Sequence, residues 1–98
     1  MEIRDFQQLM DQLYGVRDQK RGGPNTFRWL VEEVGELAQA LRYESREKIT
    51  EEIADVFAWL ASLANIEHVD IDDAIQQKYP GKCPKCKENP CQCNLSTP

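Results

Sequence analysis

The chain has 98 residues, 30% of them charged and 41% hydrophobic, with a net charge of −5. That is one domain, and a chain this short buries only about two-thirds of its unfolded surface, so its own core is marginal and association with further copies is expected. Residues 1–80 carry 9 Lys+Arg against 16 Asp+Glu, a balance of −7, which argues against nucleic acid as a partner.

No apolar run reaches the ~18 residues of a membrane span. The N-terminus, Met1-Glu2-Ile3-Arg4-Asp5, lacks a signal-peptide pattern, so a cytoplasmic location is expected. In residues 2–16, Ile3, Phe6, Leu9, Met10, Leu13 and Val16 mark one face of a first helix. Lys20-Arg21-Gly22-Gly23-Pro24-Asn25 reads as a loop, with Asn25 as the N-cap of a second helix.

This second helix is expected from about Thr26 to Tyr43. Phe27, Leu30, Val31, Val34, Leu37, Ala38 and Leu41 form its apolar stripe, and Glu33 and Glu36 fall just beyond one edge, in line with Trp29. Ser45 is the expected cap of a third helix running to about Ala64. Its stretch Ile53–Ala64 is apolar nearly all round, which places it centrally in a bundle and makes Asp55 the strongest candidate for a buried charge. Asp70 begins a short fourth helix, Ile71 to about Tyr79, ended by Pro80-Gly81. The body, residues 1–80, thus reads as an all-α antiparallel helix bundle of about four helices, completed by oligomerisation.

Residues 81–98 form a separate cysteine-rich tail. Cys83-Pro84-Lys85-Cys86 followed by Cys91-Gln92-Cys93 has the turn and spacing of a zinc knuckle, and four thiolates suit Zn²⁺. Disulfides are the alternative, disfavoured in a cytosolic chain; an iron–sulfur cluster is a third option. The tail has no apolar core, so a metal would fold it. Whether one chain or two supply the ligands stays open at this level.

The two acidic clusters, Glu32-Glu33-Val34-Gly35-Glu36 and Glu51-Glu52-Ile53-Ala54-Asp55, sit inside apolar helices. Glu33 and Glu36, and likewise Glu52 and Asp55, are one helical turn apart. If the two helices run antiparallel, the four acids can converge on one site, whose hard oxygen ligands suit Mg²⁺, Mn²⁺ or Ca²⁺. The plain alternative is that the glutamate doublets are solvated helix surface, which explains Asp55 poorly. A di-iron bundle uses Glu-x-x-His pairs, whereas the single histidine, His68, falls in the loop after the third helix.

Trp29-Leu30-Val31-Glu32-Glu33-Val34-Gly35-Glu36-Leu37-Ala38, followed by Glu51-Glu52-Ile53-Ala54-Asp55-Val56, resembles the MazG family of nucleoside triphosphate pyrophosphohydrolases, within the all-α NTP pyrophosphatase group. The resemblance covers roughly residues 5–80. It implies Mg²⁺-dependent hydrolysis of a nucleoside triphosphate to the monophosphate and pyrophosphate, a house-cleaning activity on the nucleotide pool. It implies Glu33, Glu36, Glu52 and Asp55 as metal ligands, Glu32 as an orienting acid, and a homodimer or homotetramer. Arg17, Lys20, Arg21 and Arg28 lie before the first acidic motif as candidate triphosphate contacts, and Trp29 and Trp59 could stack on a base, although Trp59 reads better as core. Lys78 matches a lysine that family members carry on the last helix. Beyond it this chain goes directly to Tyr79-Pro80-Gly81, where many members have an asparagine and an arginine before Tyr-Pro. The competing class is a non-enzymatic, zinc-containing helical binding module.

Overall fold

The computed structural model describes residues 1–95; the last three residues of the tail, 96–98, lie outside the described residues. There are four helices, α1 (Ile3–Arg21), α2 (Gly23–Arg42), α3 (Arg46–Ile66) and α4 (Ile71–Lys78), and no strand among the described residues. The α3 helix is central, packed along both α2 and α1, while the short α4 lies against α1. A three-residue connection makes α2 and α3 antiparallel neighbours. Trp29, early in α2, accordingly stacks on Trp59, late in α3.

The expected loop at Lys20–Asn25 is almost absent. Lys20 and Arg21 complete α1, and Gly23, Pro24 and Asn25 already belong to α2. A proline is tolerated in a first helical turn because the amide it lacks has no partner there. Asn25 is therefore not the cap; its side chain donates to Arg21 O at 3.3 Å. Only Gly22 separates the two helices, at φ 80° and ψ 166°, a region open essentially to glycine alone. The corner is clasped from inside. Arg21 Nε donates to Thr26 Oγ1 at 3.0 Å, and the same guanidinium pairs with Asp18. Thr26 and Asp18 are the largest fully buried side chains.

The two downstream caps are where local chemistry puts them. Ser45 Oγ accepts from Lys48 N at 3.3 Å, and the Asp70 carboxylate accepts from Asp73 N at 2.9 Å. Asp73 does not reach back to close a capping box. It joins Asp70 and Asp72 around Arg4, at 2.9, 3.0 and 3.2 Å. These pairs are exposed, so each contributes little by itself.

A buried amide does more to seat α4. Gln7 Nε2 donates to Asn65 Oδ1 at 3.0 Å and to Val69 O at 2.7 Å, and Gln7 Oε1 accepts from Ile71 N at 2.9 Å. Asn65 Nδ2 returns a bond to Gln7 O at 3.1 Å. Gln7→Ala strands several of these groups at once, so a cost of about 1–3 kcal/mol is expected. It would be read as a lower urea midpoint, with hydrogen exchange of α4 accelerating first.

The apolar stripe of α2 coincides with its packed face only at Leu30 and Leu37. The buried or half-buried residues of α2 beyond its first turn are Thr26, Leu30, Glu33, Leu37 and Ala40, spaced alternately four and three apart. Phe27, Val31, Val34 and Leu41 are each about half exposed, at 54%, 52%, 48% and 55%. The α3 helix contributes a matching row of Ile49, Glu52, Val56, Trp59 and Leu63, while Ile53 and Leu60 remain exposed. A single chain thus covers one side of its two central helices and leaves an apolar side open.

Candidate active site

Glu33 and Glu52 occupy the inward rows of antiparallel helices, at places where packed helices ordinarily put an aliphatic side chain. With Glu36, one turn beyond Glu33, they bring one oxygen from each of three carboxylates within 4.8 Å of one another. Glu52 is buried, Glu33 half-buried and Glu36 exposed, so the group runs from the helix interface to the surface.

Glu33 Oε2 and Glu52 Oε2 are buried and have no hydrogen-bond donor among the described residues. Two acceptors held this way call for a donor between them, which a proton or a cation can replace. In the metal-free chain at low pH a proton takes that place. Burial first, then the charges of Glu36, Asp55 and Glu52, push the Glu33 carboxyl up from its ordinary 4.5 to about 7. A donor set of carboxylate oxygens equally suits a hard divalent ion such as Mg²⁺ or Mn²⁺. The residues present therefore fit the metal that the acidic motif implies.

Asp55 departs from the expectation of a buried charge. It is exposed and stands outside the group of three, although its charge contributes to the shift at Glu33. The reason is helical phase: the inward row of α3 passes through Glu52 and Val56, and Asp55 falls beside it. Asp55 opens instead onto a cleft of about 180 Å³ shared with Met10, Tyr14, Arg21, Trp59 and Ser62.

The other candidates are dispersed. Glu32 lines a separate cleft of about 580 Å³ with Arg28 and Trp29. Arg17 and Lys20 are exposed on α1, and Lys78 is exposed in the last turn of α4. Arg21 is already engaged by Asp18 and Thr26 and lies 4.7 Å over the ring of Trp59. Trp29 and Trp59 stack on each other at 5.8 Å and 16° between planes, so Trp29 has one face occupied and Trp59 is contacted by both Trp29 and Arg21. Trp59 is only half-buried and walls the Asp55 cleft, a position that its apolar surroundings in the sequence do not indicate. Sequence reasoning also misses Lys48. It lines a cleft of about 360 Å³ with Glu36 and Glu52 while pairing with Glu51 at 3.5 Å. Its only sequence signal is its place one turn before Glu52.

The four cysteines gather into one cluster on the tail, their sulfurs all within 4.8 Å of one another. All four are free thiols. Backbone N–H groups of Cys86 and Lys85 lower the Cys83 thiol to about 6, whereas the adjoining thiols push Cys93 up to about 12. This is a cluster able to hold a metal ion. Among the described residues, no helix is long and apolar enough to cross a membrane.

No curated protein matches the chain. The MazG nucleotide pyrophosphohydrolase domain, by contrast, matches residues 22–87, about two-thirds of the sequence and a span that takes in all three clustered glutamates and Asp55. With both acidic motifs on an antiparallel helix pair inside that span, the chain belongs to the MazG nucleotide pyrophosphohydrolase family.

Proposed function

We propose that this protein is a cytoplasmic, metal-dependent hydrolase that splits nucleoside triphosphates into the monophosphate and pyrophosphate, clearing the nucleotide pool. The observation that carries the reading is the convergence of Glu33, Glu36 and Glu52 with two buried oxygens that lack donors. In this reading Mg²⁺ or Mn²⁺ is held by those three acids and, on the family pattern, by Asp55; Zn²⁺ is held by the cysteines. The divalent ion, when bound, neutralises phosphate charge and lowers the pKa of a coordinated water.

The chain's own contribution is positional. Glu52 and Glu33 are fixed by packing on two helices, so the carboxylates need little rearrangement to receive a cation. Glu32, beside Arg28 and Trp29, is assigned to orient the attacking water. Arg17, Lys20, Arg28 and Lys78 are assigned to the phosphates and Trp29 to the base. Water adds to the α-phosphorus, the bond to the β-phosphate oxygen breaks, and pyrophosphate leaves.

The working unit in this reading is a homodimer or homotetramer. The support is the uncovered row of Phe27, Val31, Val34 and Leu41 beside Ile53 and Leu60, an apolar surface of the kind that monomers seldom expose. Purified protein with Mg²⁺, offered a panel of normal and oxidised nucleoside triphosphates, is expected to release pyrophosphate and the monophosphate from at least one of them. Release of orthophosphate instead, or no product from any, overturns the reading.

A further inference from the structure

We infer that Cys83, Cys86, Cys91 and Cys93 of one chain form a complete, mononuclear tetrathiolate zinc site, built within each chain and separate from the carboxylates. A tetrahedron with Zn–S bonds of about 2.3 Å has S···S edges of about 3.8 Å. The Cys83 and Cys93 sulfurs are 3.8 Å apart, and those of Cys86 and Cys91 are 4.0 Å apart. These two pairs are opposite edges of one tetrahedron. The spacing is too long for a disulfide, which needs about 2.05 Å. It is also too tight for a polynuclear iron–sulfur cluster, whose cysteines must stand outside an inorganic core.

The backbone around the sulfurs is arranged to hold thiolates. Gln92 N donates to Cys86 Sγ and Cys93 N to Cys91 Sγ, both at 3.3 Å. The first ligand pair sits on a turn closed at both ends, by Lys87 N to Cys83 O at 2.8 Å and Cys83 N to Glu88 O at 3.0 Å. Lys87 adopts a φ of 68° to make that turn. Such outer bonds orient metal ligands and tune their basicity. Four thiolates around Zn²⁺ leave a net charge of −2, and the segment carries Lys82, Lys85 and Lys87 against Glu88 alone. Soft sulfur ligands in tetrahedral array select zinc over magnesium. Because a single chain supplies every ligand, occupancy is one ion per chain whatever the assembly.

The test uses the full chain, stripped of metal under reducing conditions and titrated with Co²⁺ in the presence of excess Mg²⁺. The expected result is the intense visible absorption of tetrahedral Co²⁺–thiolate, saturating at one ion per chain and bleached by one equivalent of Zn²⁺. In Cys93→Ser and, separately, Cys86→Ser, Co²⁺ affinity is expected to fall by more than about 100-fold, while far-ultraviolet circular dichroism keeps the helical signal. Saturation at one ion per two chains, the weak absorption of octahedral Co²⁺, or an unchanged titration in either variant overturns the inference. Nucleotide hydrolysis plays no part in this readout, so the zinc site and the proposed activity fail or stand independently.

Discussion

Glu52→Gln is expected to lower kcat/KM for nucleoside triphosphate hydrolysis by at least about 100-fold, given that even the outer partners of metal ligands are worth 10–100-fold. The substitution is nearly isosteric. It keeps the packing of a side chain only 7% exposed between α2 and α3, and removes one negative charge from the trio with Glu33 and Glu36. Losing a like charge relieves repulsion, so the metal-free variant is expected to unfold at an equal or higher temperature than the parent. Lost turnover with retained or increased stability distinguishes a functional carboxylate from a structural one. Glu51→Gln is the control. Glu51 is exposed, adjacent in sequence and paired with Lys48, and its loss is expected to leave turnover unchanged. Asp55→Asn reports whether an acid outside the trio also serves the metal. Full activity in Glu52→Gln would remove the carboxylate cluster from the chemistry.

Mg²⁺ is expected to raise the unfolding temperature more at pH 8 than at pH 6. The Glu33 carboxyl titrates at about 7 in the folded, metal-free chain and near 4.5 once unfolded. Between those values the folded state holds the extra proton, so stability falls as pH rises through this window and levels off above about 7. There Glu33 is ionised beside Glu36, Glu52 and Asp55 with nothing between them. A cation relieves this repulsion directly at high pH, but at low pH it must first displace the proton, and its apparent affinity falls by up to about tenfold per pH unit below 7. Scanning calorimetry with and without Mg²⁺ at the two pH values measures the difference. Glu33→Gln is expected to flatten it. Equal stabilisation at both pH values, or the same pH dependence in Glu33→Gln, would show that the proton and the metal do not compete at this residue.

What the sequence makes legible is mainly local. Ser45 and Asp70 are readable as caps because a capping bond spans three residues. The cysteine cluster is readable because its spacing alone brings the sulfurs near. The acidic pairs are readable as a pattern, but not the burial of each member. Hydrophobicity places the face of α2 on a stripe from Phe27 to Leu41, whereas packing keeps only Leu30 and Leu37 of that stripe and adds Thr26, Glu33 and Ala40. A rule that sends charges outward must fail where two glutamates face each other inside a helix pair. The same rule favours Asp55, ringed by apolar neighbours, over Glu52, although phase puts Glu52 inside. Gln7 carries no signal at all, since its partners lie 58 to 64 residues away. The α1–α2 corner misleads because Gly-Gly-Pro suggests a loop, while one glycine in an unusual conformation makes the whole turn.

That corner also sets the rotational clock of α2. A helix advances about 100° per residue, and a connector of one residue has no slack in which to absorb an error. Threading a single additional residue between Arg21 and Gly23 would tend to spin α2 by a full step, carrying Glu32 toward α3 and swinging Glu33 away. The alignment of acids across two helices is in this sense inherited from a bend that touches none of them.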